Sequence, residues 1–496
     1  MRLRLAALFA SVFASFLVWA LIKPIFQSPD EFAHLTKTLS FPKQPWIAPS
    51  FKVEVAEHLY NPLLDHEVLH RVPFHPERKL DATTIDELQR VAWTRRGDES
   101  SAPHRSTAFH YPILYFAFLF ALGEGATRLF DLSPYDAIFA YRIASAGLAA
   151  GLWTLVWQAL GLLGRHRATV FALLVLAPMV SFLSSAINPD AASLPLSALV
   201  MVTSWDAIFR GRGVGKALTA LLALLYTKSS GIVVFPTLAA LVALAWLARR
   251  VRLADVEIHW RPAAFLVPGA FALYWITFYA WSPVVVLWYG FHESIFSYLA
   301  RLPSRIPYFF TSYWGSFGWL DYSAPGWVYA VIFGVLLANA AVFAARFRRL
   351  EEPPRFAYLL GFAALYAAAL VAAEFVTVPR WGYLIQGRYF LPVALGLAVL
   401  VCHPATWLRR AFVACVVLFH LYALQLTVDR YYAGDWSLVR RALPFRGADP
   451  DRRGSALLPP SGAGEPSAQD LDGVVEHRVA VEEEATREAS ALEDEG

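Results

Sequence analysis

Residues 28–35 read Ser28-Pro29-Asp30-Glu31-Phe32-Ala33-His34-Leu35, and they follow directly on the first long apolar run of the chain, residues 5–26. Two neighbouring carboxylates, Asp30 and Glu31, and an imidazole, His34, therefore stand where a membrane helix would meet water. A carboxylate there can take a proton from a hydroxyl group or hold a divalent cation. Acids at membrane depth are costly to desolvate, which favours a functional role. The competing reading is a helix cap, because Ser-Pro-Asp-Glu is also the signature of a helix start after a turn.

Other polar residues recur where later apolar runs end: Asn188-Pro189-Asp190, Lys228, the aromatic stretch that ends in Trp319-Leu320-Asp321, and Gln386-Gly387-Arg388-Tyr389. Each has an ordinary explanation alone. Asn-Pro-Asp makes turns, a lysine can snorkel, and tryptophan belongs in interfacial belts. Together they put carboxylates, an amide, a lysine and an arginine at one depth. That set suits transfer from a lipid phosphate. Arginine grips a phosphate with two parallel hydrogen bonds, a carboxylate activates an acceptor hydroxyl, and a fixed cation meets the charge that grows on the leaving phosphate.

The elements that must position these residues are membrane helices. The chain has 496 residues, 57% hydrophobic and only 17% charged, which is the composition of a polytopic membrane protein. About eleven spans are expected, at 5–26, 137–163, 168–187, 191–209, 214–227, 231–248, 263–283, 327–345, 356–375, 389–403 and 411–428. The first reads as an uncleaved span, with Arg2 and Arg4 holding its start in the cytoplasm. The basic clusters at 165–167, 210–216, 249–250, 346–349 and 409–410 then fall on the same side, as the positive-inside rule requires. Residues 111–130 are apolar enough to cross, but a crossing would turn every later cluster outward, so this segment is expected along the surface. One of the helices within 214–248 is expected to break near residues 227–231, where a cavity can tolerate irregular backbone.

On this topology residues 27–136 form a first extracytoplasmic loop, expected to carry amphipathic helices, and 284–326 form a second large loop. A shorter outer segment is expected at 376–389. Residues 1–445 make one transmembrane domain. The tail, 446–496, holds thirteen acidic residues against five arginines and is expected to be disordered. The net charge of +4 is spent on topology and does not suggest nucleic acid. Two cysteines, Cys402 and Cys415, imply neither a disulfide framework nor a thiol metal site. No internal repeat is visible, which weakens a transporter reading.

The polar elements also resemble a known family. Ser28 to Leu35 is similar to the "PDEPAHF" element that opens a family of predicted bacterial membrane proteins named as domain of unknown function 2142. His110-Tyr111-Pro112-Ile113-Leu114-Tyr115 resembles its "PPLYY", Asn188-Pro189-Asp190 its "NPD", Phe317-Gly318-Trp319-Leu320-Asp321 its "FGWLD", and Gln386-Gly387-Arg388-Tyr389-Phe390-Leu391-Pro392 its "QGRYFLP". The match covers residues 1 to about 430 and not the tail. Phe32 and Ile113 depart from the family's prolines, and neither change removes a charge.

That family looks like part of the GT-C glycosyltransferase superfamily. The resemblance implies an all-α polytopic GT-C-like fold in the cell membrane, a polyprenyl-phosphate sugar donor, and an essential acid in the first extracytoplasmic loop. By this resemblance Asp30 takes the acidic position, with Glu31 beside it as the second catalytic candidate. Asp190 matches a second acidic position and Arg388 a donor-phosphate contact. The substrate-binding candidates are then His34, Asn188, Asp190, Lys228, Trp319, Asp321, Gln386, Arg388 and Tyr389. No organic cofactor is implied, while a divalent cation held by Glu31, His34 and Asp190 stays open. The expected partners are the lipid-linked donor, membrane lipids, and a glycan, lipid or protein acceptor on the extracytoplasmic face.

Two other functions compete. A lipid-substrate transporter or flippase would use the same phosphate-gripping residues without chemistry. A zinc protease is suggested by His66-Glu67-Val68-Leu69-His70, which fits H-E-x-x-H, with Glu87 or Glu99 as a third ligand. Its flanks argue against it. Asp65 and Arg71 place charges where a buried metal-binding helix needs apolar residues, and Pro62 and Pro73 leave room for about two turns.

Overall fold

In the computed structural model, the described residues are 2–46, 52–66, 69, 72–73, 75, 77–93, 101–250, 259, 265–269, 272, 295–350, 353–381 and 386–445. The tail from 446 to 496 lies outside them, as does most of the expected span 263–283.

Helix α1 (Arg2–Ile22) is about 31 Å long at the helical rise, enough to cross a bilayer. It stops where Pro24 removes a backbone donor. Helix α2 (Glu31–Leu39) follows after a turn. Helix α3 (Pro134–Ala159) is capped by the Ser133 hydroxyl, which accepts from the Asp136 N–H, and has Pro134 in its first turn. The expected span 168–187 is two pieces, α4 (Arg167–Leu176) and α5 (Pro178–Ser184). Pro178 has no N–H to continue the ladder, so the helix breaks in front of it. Helix α6 (Asp190–Arg210) begins on Asn188-Pro189 and ends on Gly211 at φ 64°.

Helices α7 (Val214–Leu225) and α8 (Val234–Arg250) are separated by an extended Lys228 and a short 3-10 turn, Ser229–Val233. The expected break is therefore present. Helices α9 (Ile295–Trp314), α10 (Gly326–Arg346), α11 (Pro353–Trp381) and α12 (Thr406–Tyr432) complete the bundle. The region 389–403 is not a regular span. It is a 3-10 stretch, Gly387–Val393, followed by one short helix, Ala394–Ala398. Helix α9 occupies much of the second large loop, and α11 extends into the expected outer segment at 376–389.

Six helices among the described residues are long and apolar enough to cross a membrane: Leu3–Ile22, Pro134–Leu176, Asp190–Arg210, Gly326–Arg349, Pro353–Phe375 and Thr406–Tyr432. The apolar helices of α7, α8 and 387–401 are shorter. The helical run Leu114–Leu119, Phe120–Glu124, Gly125–Leu129 spans about 24 Å at the helical rise, short of a ~30 Å hydrocarbon core. It leaves Leu114, Leu122, Leu129 and Phe130 exposed. At this length it is not among the helices long enough to cross. At the opposite end of the bundle, Arg409 Nη1 lies 2.6 Å from His166 Nδ1, and Arg355 donates to the Leu162 carbonyl. The basic ends of α4, α11 and α12 meet there.

The first loop departs from an all-helical expectation. Strand β1 (Lys52–Ala56) pairs antiparallel with β2 (Ser101–Arg105), and β1 alternates exposed and buried residues over Lys52-Val53-Glu54-Val55. That period of two is a strand signal. The loop also holds an amphipathic helix, Ala82–Arg90, with Ile85 and Leu88 buried. A second small antiparallel pair joins Ser316–Phe317 to Tyr322–Ser323 around the Phe317-Gly318-Trp319-Leu320-Asp321 turn. Below these loops the core closes on Trp19. Its ring stacks on Phe317, meets Phe182 edge-on, and donates from Nε1 to His420 Nε2 at 3.1 Å. Helices α1, α5 and α12 are thereby locked together beneath residues 23–31.

Candidate functional site

Phe26 and Asp30 both sit at φ 60°. This left-handed region is tolerated by aspartate and strained for phenylalanine, so the surroundings must hold the turn. Glu31 does much of that work. It is fully buried, and Arg142 of α3 grips it with both arms: Nε to Oε1 at 2.7 Å and Nη2 to Oε2 at 2.6 Å. The Ile187 N–H adds a third bond, 3.2 Å to Oε1. Burial raises the Glu31 carboxyl, but Arg142, Lys23 and the Ile187 N–H outweigh it and hold the group below the usual carboxylate range. The sequence suggested Glu31 as a catalytic partner of Asp30. With both oxygens occupied and no exposure, it is an anchor and does not face an opening.

Asp30 is the opposite case. Its side chain is 37% exposed, and Arg388 reaches it with Nη2 at 3.4 Å. Arg388 itself is only 8% exposed, and its Nε and Nη1 are buried without a hydrogen-bond partner among the described residues. Unsatisfied buried donors of this kind are uncommon and call for a reason. The second ion pair is Lys228 to Asp190, 2.5 Å, with Ser193 also donating to Asp190 at 3.0 Å. The two cations flank Tyr389: Arg388 lies 5.4 Å and Lys228 5.6 Å from its ring centre. Asn188 ties the halves together, because its Oδ1 accepts from the Asp190 N–H and its Nδ2 donates to the Pro29 carbonyl.

His34 is buried with Nδ1 unpartnered, and its ring is 5.3 Å from that of Tyr111. Burial pushes its pKa down to about 4. Asp30 and Asp190 pull the other way, and Lys228 and Arg388 reinforce the fall. His34 is thus neutral at pH 7. Gln386 Oε1 is also buried without a partner. Trp319 donates to the Phe26 carbonyl at 3.2 Å and stacks on Phe32, which places it beside the Asp30 turn. Asp321 does not join the set. Arg430 holds it at 2.6 and 3.1 Å while also donating to the Val72 and Arg78 carbonyls. Its role is to fasten the 317–321 turn to α12 and the first loop, because a buried carboxylate needs a matched cation.

The protonation of His34 gives the site a pH-dependent stability. Its folded pKa, about 4, lies below the ordinary 6.5, so the unfolded chain binds the proton first as the pH falls. The native state should lose up to about 3 kcal/mol between pH 6.5 and pH 4 from this group and nothing further below that. Thermal unfolding of the detergent-solubilised protein across that window should show the loss, and His34→Gln should flatten it. An equal slope in the variant would remove His34 as the cause.

Gly387 positions Arg388. A Cβ on Gly387 would lie 1.9 Å from the Phe309 carbonyl oxygen and 2.3 Å from the Tyr313 nitrogen, and the Gly387 N–H donates to Ser312 Oγ at 2.7 Å. The 3-10 stretch therefore lies directly against the backbone of α9. Gly387→Ala should push the two apart, at a cost of about 3 kcal/mol, and lower the melting temperature in detergent. An unchanged melting temperature would contradict the close approach.

A divalent-cation site formed by Glu31, His34 and Asp190 does not fit this arrangement, since Arg142 occupies Glu31 and Lys228 occupies Asp190. No three metal-ligating side chains gather among the described residues. For the zinc motif, Glu67, His70 and Glu99 lie outside the described residues, while His66 Nε2 is 3.6 Å from Glu87 Oε1. Sequence reasoning missed Arg142, Lys23 and Tyr111. Arg142 was signalled, because a lone arginine inside an apolar run demands a partner.

A solved structure, that of ArnT from Cupriavidus metallidurans in the apo state, is similar over 88% of this chain and 76% of that one, with 13% identity and a TM-score of 0.41. No curated protein matches the chain. The model of a family described as predicted membrane protein (DUF2142) matches residues 13–397. The chain, from its acid pair through the Arg388 segment, belongs to that family.

Proposed function

We propose that this protein is a membrane glycosyltransferase that moves a sugar from a polyprenyl-phosphate donor to an extracytoplasmic glycan, lipid or protein acceptor. The observation that carries this reading is the half-used Arg388 beside the accessible Asp30. Two buried guanidinium donors lack partners, and a phosphate oxygen is the ligand that would satisfy them. The carboxylate next to them can serve the acceptor.

In the reaction, Asp30 takes the proton from an acceptor hydroxyl. The oxygen attacks the anomeric carbon from the face opposite the phosphate, and the bond from that carbon to the phosphate oxygen breaks with its electron pair on the phosphate. The configuration inverts. Charge that grows on the phosphate is met by Arg388 and by Lys228, whose ion pair with Asp190 keeps it oriented. Neutral His34 and Gln386 offer hydrogen-bond acceptors for sugar hydroxyls, and the Trp319 ring offers an apolar face at the rim. The positive-inside charge pattern supports an extracytoplasmic position for this end of the bundle.

The test is reconstitution of the purified protein in liposomes with a radiolabelled polyprenyl-phosphate sugar. Label appearing in an acceptor supports the transferase. Label crossing the bilayer without transfer would favour the flippase reading instead.

A further inference from the structure

A closely hydrogen-bonded polar cluster lies beneath Asp30. Arg142 has no exposure, and every nitrogen of its guanidinium is used. Beyond its two bonds to Glu31, Nη1 donates to the carbonyls of Ala20 at 3.1 Å and Lys23 at 2.6 Å, and Nη2 to that of Pro24 at 2.7 Å. Lys23, also fully buried, donates from Nζ to Ser28 Oγ at 3.0 Å and to the Phe182 carbonyl at 2.7 Å.

One cation on α3 therefore binds a carbonyl in the last turn of α1, two carbonyls just past its end and the first carboxylate of α2. It brackets the segment in which Phe26 and Asp30 hold φ 60°. The same cluster reaches the second acid. Glu31 accepts from Ile187, the neighbouring Asn188 bonds to the Pro29 carbonyl, and Asn188 also accepts from the Asp190 N–H. Stability alone does not account for such a cluster, because apolar residues of similar volume commonly match or exceed a buried ion pair. What it supplies is a fixed backbone path through the strained Phe26 to the left-handed Asp30.

We infer that Arg142, with Glu31 and Lys23, is a positioning cluster that sets the left-handed geometry of Asp30 and its register against the Asp190–Lys228 pair. This inference rests on the transferase reading for its catalytic consequence. None of the three side chains touches substrate; they act through Asp30.

Two variants of the full chain in lipid nanodiscs test it. Lys23→Met keeps volume and leaves the Glu31–Arg142 pair in place, so it should assemble normally. Glu31→Gln weakens the grip of Arg142. Hydrogen exchange of residues 23–34 should rise about tenfold or more in both variants while the other helices keep their protection. With misplacement of the base by a fraction of an ångström to about 1 Å, kcat should fall about tenfold in Lys23→Met and about a hundredfold in Glu31→Gln, with the donor KM within about threefold of the parent. Unchanged exchange at 23–34 overturns the inference whatever the activity. So does a raised KM with native kcat, and so does failure of both variants to assemble, which would make the cluster a folding element only. Parent protein that transfers no sugar overturns the transferase reading separately, since the exchange result is read without substrate.

Discussion

Asp30→Asn should slow sugar transfer by about 10²–10⁴, the usual contribution of a positioned general base. The substitution isolates the proton chemistry unusually well. Asparagine tolerates the left-handed backbone that Asp30 adopts at φ 60°, so the turn survives. The side chain is 37% exposed and makes one long contact to Arg388, so little packing is lost. Arg388 keeps its place on Tyr389 and gains an amide neighbour, so donor affinity should stay within a few-fold of the parent. Initial rates in proteoliposomes at saturating donor, with melting temperature as the control for folding, decide it. A folded Asp30→Asn protein with the parent's rate would remove Asp30 from the chemistry.

The second large effect is expected at Arg388. Arg388→Lys keeps the charge but loses the planar fork, and with it the two unpartnered donors that would meet a phosphate. Arg388→Gln removes the charge as well. The lysine variant should lose about tenfold to a hundredfold in kcat/KM and the glutamine variant about a thousandfold, in the range found for removal of one donor to a developing oxyanion. Donor affinity should fall along with kcat, because the contact exists in both the ground state and the transition state. Asp30 faces solvent enough to tolerate the loss of its partner, so the fold should hold. Kinetics over a range of donor concentrations, with competition by the sugar-free polyprenyl phosphate, give both parameters. If that phosphate competed equally well against the parent and Arg388→Gln, the phosphate would have to bind elsewhere.

The contrast between Asp30 and Glu31 shows what adjacency in sequence leaves undecided. Both are acids in one motif, one residue apart. A helix begins between them: Asp30 turns out at a left-handed residue, and Glu31 turns in at the first position of α2, where Arg142 waits. Which of two neighbours meets the cation depends on a residue more than a hundred positions away. The same holds for Asp321, which the motif made look like a site residue and which Arg430 claims from α12. The strand Lys52–Ala56 carries an alternation that the all-helical expectation passed over, whereas its partner Ser101–Arg105 carries a proline and no clear period.

The amino-acid sequence alone determined the membrane character of the chain, its family motifs and the break near Lys228. Those features are written in local hydropathy, in local charge, and in prolines and glycines that act on their own backbone. The tertiary structure alone decided how the charges pair: Asp30 with Arg388, Asp190 with Lys228, Glu31 with Arg142, Asp321 with Arg430. Pairing depends on which helices cross at a common depth. In a low-dielectric interior each buried acid must find a cation, and only packing says which one is within reach.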